Sequence, residues 1–202
     1  MATAGTTKQT HDVGLENADF TQCFYMLRHY DQVNWDLTKF AFGQVMVVIG
    51  ACWSIVSVGA TSNDLNIIAT MTRTNTGVVV GIMMALSTLF LYLSLIGVMK
   101  NRTYFVQVSR YINEYRNIFL TEKLFGFENK SNMWHDANYP KNFDWKSTQM
   151  ICMYLIGACM ILSSFISVFC LTISCVCAFV WGLLAAVVSL LLIIITAVLI
   201  FK

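Results

Sequence analysis

Four long apolar runs constrain this chain more than any other feature. They cover residues 40–60, 77–99, 149–171 and 175–201, and none contains Asp, Glu, Lys, Arg or His. About 20 residues at 1.5 Å per residue span the ~30 Å hydrocarbon layer of a bilayer, so each run is long enough to cross it. In lipid the backbone groups of a span must be satisfied within the segment, which makes each run a helix. The expected fold class is all-α, a four-helix transmembrane protein. Composition agrees: 57% hydrophobic and 12% charged residues, against about 25% charged in a soluble domain. The single proline, Pro140, lies outside every run. The first 20 residues are polar and lack the apolar core of a signal peptide.

Thirteen Lys and Arg set the orientation. Lys8, Arg28 and Lys39 precede the first run, and only Arg73 falls between the first and second. Lys100, Arg102, Arg110, Arg116, Lys123, Lys130, Lys141 and Lys146 lie between the second and third, and Lys202 ends the chain. Twelve of the thirteen thus share one side. The positive-inside rule puts both termini and the long middle segment in the cytoplasm. Trp145-Lys146 stands where an interfacial anchor belongs.

The sequence divides into a flexible segment 1–18, a cytoplasmic helix 19–39, a transmembrane hairpin 40–99, a cytoplasmic helix and loop 100–147, and a second hairpin 148–202. Asp19-x-x-Gln22 has the form of a capping box, with Phe20, Phe24 and Leu27 following at helical spacing. No Gly or Pro interrupts 19–42, so the helix is expected to run into the first span. Residues 100–123 also lack Gly and Pro. At 100° per residue Tyr104, Phe105, Val108, Tyr111, Ile112, Tyr115 and Phe119 fall on one face, and Arg102, Arg110, Arg116 and Lys123 on roughly the other. The aromatic face is expected to pack on the N-terminal helix. Gly126 is placed to end the helix, the aromatic-rich stretch 127–147 returns to the membrane, and Ser147 or Thr148 caps the third span.

Spans without ionisable residues argue against pumps, proton-coupled transporters and voltage sensors. Channels stay open as a class, because hydroxyls or an apolar constriction can line a pore. Small residues recur at heptad spacing: Gly43, Gly50 and Ser57 with Ser54 nearby, then Ser87 and Ser94, then Gly182 and Ser189. They serve close helix packing, or they line a pore. Candidate pore residues are Gln44, Gly50, Ser54, Ser57, Ser87 and Ser94, with Gln44 better suited to bond a neighbouring helix. Four helices enclose no wide aqueous pore, so a channel needs several copies about an axis.

The basic residues Arg102, Arg110, Arg116 and Lys123 touch anionic headgroups on one reading. On another they form an anion site, since arginine forks suit phosphates and loop aromatics stack on bases. Neither a phosphate loop nor an RNA-binding motif accompanies them. Enzyme signatures are missing as well: there is no G-x-S-x-G, H-E-x-x-H or C-x-x-C, so neither catalysis nor a cofactor is expected. His11, His29 and His135 are scattered, and six of the seven cysteines sit in or beside apolar runs as small fillers. Asn129-Lys-Ser131 matches a glycosylation sequon on the side expected to be cytoplasmic, where it goes unused.

Leu27-Arg-His29 leading into the first span, a short outer loop, and Arg110-Tyr-Ile-Asn-Glu-Tyr-Arg116 after the second form an arrangement that resembles small multi-span effectors of bacterial anti-phage systems. These are the SLATT type and the four-span channel effector of the Hailong system. The resemblance lies in architecture along most of the chain. It implies a homo-oligomeric channel, four copies favoured, in the bacterial inner membrane. It further implies depolarisation of the cell under control of a partner nucleotidyltransferase or its oligonucleotide product. The four-span subunit of the Kiwa system, a membrane sensor for a partner, is a related expectation. The alternatives are a non-conducting sensor or scaffold for a soluble cytoplasmic partner, and a small-solute transporter.

Overall fold

The computed structural model describes residues 4–59, 74–121, 138–172 and 175–202. Among them every regular element is a helix and none is a strand. The helices are α1 (Ala4–Gly59), α2 (Thr74–Thr121), α3 (Thr148–Leu171) and α4 (Cys175–Phe201). All four are long and apolar enough to cross a membrane. At 56 and 48 residues, α1 and α2 far exceed the ~20 needed for one crossing. α1 begins well before Asp19: a helix already running needs no capping box there, and the Asp19 carboxylate accepts a hydrogen bond from Tyr111 Oη at 2.7 Å instead.

The chain forms two compact units. One comprises Asn34–Lys100 and Trp145–Lys202. Its core joins Ala41 of α1, Leu91, Leu95, Val98 and Met99 of α2, and Met150, Met153, Ile156 and Met160 of α3. Ile193, Ala197 and Ile200 of α4 pack against it. A second cluster joins Cys52 and Val56 to Val80, Met84 and Cys170. Apolar burial drives association weakly in lipid, so close packing and interhelical hydrogen bonds matter more. Ser163 donates to the Met84 carbonyl at 3.1 Å and Ser167 to the Gly81 carbonyl at 2.8 Å. Ser189 donates to Ser164 at 3.0 Å, and Tyr92 and Thr196 share a bond of 3.1 Å. Gly81 and Gly182 are glycine for steric reasons. A Cβ at Gly81 would lie 2.6 Å from Leu171 Cγ, and one at Gly182 2.9 Å from Phe165 Cε2. Ser147 caps α3, its hydroxyl accepting from Met150 N at 3.3 Å.

The other unit comprises Met1–Val33 and Asn101–Asp144. Here residues 19–30 of α1 lie against the C-terminal part of α2. Phe20 and Tyr115 rings are 4.9 Å apart, Tyr30 stacks on Tyr104 at 5.8 Å, and Asn101 Nδ2 donates to the Tyr30 carbonyl. These contacts partner the expected aromatic face with the N-terminal helix.

Candidate functional site

The buried stripe of α2 in the smaller unit is not the aromatic one. Arg102, Val106, Ser109 and Asn113 are all essentially inaccessible, together with Ile112. Spacings of four, three and four put Arg102, Val106, Ser109 and Asn113 on one helical face. Tyr104 and Tyr111, expected on the packed face, remain about half exposed. The polar stripe turns inward because of what lies against it. Residues 139–142 belong to no helix or strand, and their backbone carbonyls need donors from elsewhere in the fold.

Three α2 side chains supply them in register. Asn113 Nδ2 donates to the Tyr139 carbonyl and Arg110 Nε to the Pro140 carbonyl at 3.2 Å. Arg102 Nη2 donates to the Lys141 carbonyl at 3.0 Å, and its Nε to the Asn142 carbonyl at 3.4 Å. Four consecutive carbonyls are thereby held, as a clasp holds a strap. Arg102 is 2% exposed. Burial pulls its guanidinium below the ordinary arginine value, while Asp144 and then Tyr139 push it back up. Arg116 takes another role: its Cζ lies 5.3 Å from the Phe24 ring centre and 6.0 Å from that of Phe20, and burial lowers its pKa too.

The expected open basic face is therefore divided. Arg102 points inward, Arg110 is half-buried at the strap, and Arg116 packs on α1 aromatics. Lys123 lies outside the described residues, as do Gly126 and the Asn129 sequon, and the side chain of Phe119 lies outside them too. Periodicity missed the clasp because Arg, Ser and Asn read as solvent-facing residues; the signal was the inward register of Val106 and Ile112 beside them.

The six candidate pore residues are likewise split. Gln44 Nε2 donates to Ser87 Oγ at 2.8 Å, linking α1 to α2. Ser87 is 2% exposed and Ser94 7%, so both belong to the interior of their unit. Interhelical packing covers both side chains within this one chain. Gly50, Ser54 and Ser57 are exposed along α1. Ser54 donates to the Gly50 carbonyl and Ser57 to the Ser54 carbonyl, each at 2.9 Å. Gly43 continues this line, and a Cβ added at Gly43 or Gly50 would meet nothing within 4 Å.

Among the described residues no three His, Cys, Asp or Glu side chains gather as metal ligands. Searches against protein-family models, curated proteins and solved structures find no match to this chain.

Proposed function

We propose that this chain is the subunit of a homo-oligomeric channel in a bacterial inner membrane, with both termini cytoplasmic, controlled by an anionic nucleotide or oligonucleotide signal. It acts by binding and conduction and not by catalysis. The observation that supports this reading is the outward line Gly43, Gly50, Ser54 and Ser57 on α1. Glycine costs helix stability, roughly 1 kcal/mol relative to alanine. At Gly81 and Gly182 close neighbours in the same chain explain it; at Gly43 and Gly50 none does. A second helix approaching from another copy gives both glycines a role, and the serine carbonyls and hydroxyls along the line are suited to a narrow conducting path. The defensive role, and a nucleotidyltransferase as the source of the signal, rest on the architectural resemblance alone.

The test is conductance of the purified chain in a planar bilayer, with and without short oligonucleotides on one face. Discrete current steps altered by the oligonucleotides are expected. A silent bilayer with folded protein present, with and without the oligonucleotides, overturns the reading.

A second reading, a non-conducting sensor or scaffold, is favoured by Tyr25, Tyr139 and Phe143, which are exposed in the smaller unit as a surface for a soluble partner. It predicts a co-purifying partner lost on Tyr25→Ala, with no current under any condition.

A further inference from the structure

The clasp sets cationic forks on neutral backbone carbonyls, with the Asp144 carboxylate also acting on Arg102. Guanidinium groups bond oxyanions about twice as strongly as carbonyls, because both partners are then charged. Arg102 is sealed beneath the strap, whereas Arg110 is half-buried and gives the strap only its Nε. Among the described residues the remaining N–H groups of Arg110 have no partner, although a guanidinium offers five. Asn113 holds the first strap carbonyl and carries no charge. The strap thus covers one arginine completely and a second in part, through contacts that an oxyanion would out-compete.

We infer that residues 139–142 are an autoinhibitory strap whose carbonyls occupy the Arg102 and Arg110 positions that a phosphate-type oxyanion takes when the strap lifts. This deepens the reading of an anionic signal and rests on it. An oxyanion first meets the open side of the Arg110 fork. Full engagement displaces the Pro140 carbonyl and then frees Arg102. Apparent affinity is reduced by the fraction of molecules with the strap closed, so a variant that loosens the strap while keeping both arginines binds more tightly. A merely structural clasp predicts no such gain.

The experiment uses the full chain in phosphatidylcholine nanodiscs, with pyrophosphate as the probe at constant ionic strength. Binding is measured calorimetrically, and strap release by tryptic cleavage after Lys141, read as the new terminus at Asn142. Asn113→Ala removes one strap bond and is expected to tighten pyrophosphate binding roughly five- to tenfold. Arg102→Gln with Arg110→Gln is expected to abolish binding. In the unmodified chain, saturating pyrophosphate should speed cleavage after Lys141 by a similar factor, a readout that needs no variant to fold. Phosphatidylglycerol nanodiscs separate the sources: faster cleavage from that lipid alone assigns the oxyanion to a headgroup, and faster cleavage only with pyrophosphate assigns it to a soluble ligand. Equal affinity in the unmodified chain and Asn113→Ala, or binding without faster cleavage, overturns the strap. Absence of pyrophosphate binding in every form overturns it also, while leaving conductance without a ligand intact as a separate question.

Discussion

The Arg102 guanidinium donates to the Lys141 carbonyl at 3.0 Å from a side chain that is 2% exposed. A cation at a position of this kind is held by the whole set of acceptors around it, because a buried charge needs its hydrogen bonds made. The contact joins residues 39 apart in sequence and fixes a stretch with no secondary structure of its own.

Arg102→Ala leaves the Lys141 and Asn142 carbonyls without their donor. The expected loss is about 2–3 kcal/mol of stability. Arg102→Lys keeps the charge but not the fork and should recover part of it. Thermal unfolding in detergent, compared across the three forms, checks this; equal midpoints would show that the clasp adds no stability.

Gly81→Ala forces a methyl against Leu171 and toward the Ser167 carbonyl, which lies 3.1 Å from the ideal Cβ. Overpacking of this kind costs about 1–3 kcal/mol. Gly43→Ala and Gly50→Ala meet no neighbour within 4 Å, so the chain's own stability should hold or rise slightly. If copies meet along α1, the same two changes weaken the oligomer. Size-exclusion with light scattering separates the two effects.

Gln44 and Ser87 should respond unequally although they share one hydrogen bond. Gln44 Oε1 is buried, and among the described residues it has no partner. Gln44→Leu removes that unsatisfied atom together with the bond and is expected to be neutral or stabilising. Ser87→Ala strands the Gln44 amide and should cost about 1 kcal/mol. Chemical unfolding of both variants tests the order; a larger loss for Gln44→Leu would contradict it.

The Tyr111–Asp19 contact has a defined pH signature. The hydrogen bond to Asp19, and then the charge of that carboxylate, raise the Tyr111 phenol above its ordinary value of 10.0. Because the folded value is raised, the stabilisation is complete below the unfolded tyrosine value and is lost as pH rises through the folded one. Neutral and mildly alkaline conditions should leave it intact. Ultraviolet titration should show one phenol ionising late, and Asp19→Asn should return it toward the others.

Within the candidate site, the arginines were legible as residues but not as contacts. Arg102, Arg110 and Arg116 stand on α2 as the sequence implies, yet one is sealed, one clasps a strap and one lies over Phe20 and Phe24. In the spans, Gln44 could be read as pore or bond, and Ser87 shows the bond.

By itself the sequence determined four membrane-length helices, because uncharged runs of over 20 residues have no other way to satisfy their backbone in hydrocarbon. It determined the continuous α1 and α2 for the same kind of local reason, since neither Gly nor Pro breaks 19–42 or 100–123. Only the tertiary structure decided which side of α2 turns inward. Periodicity ranks faces by apolar content, which marks the face that meets α1 but not a second inward stripe created by an unpaired backbone that needs donors. The carbonyls of 139–142 are such a backbone, and they draw Arg102, Arg110 and Asn113 to themselves from positions remote in the chain.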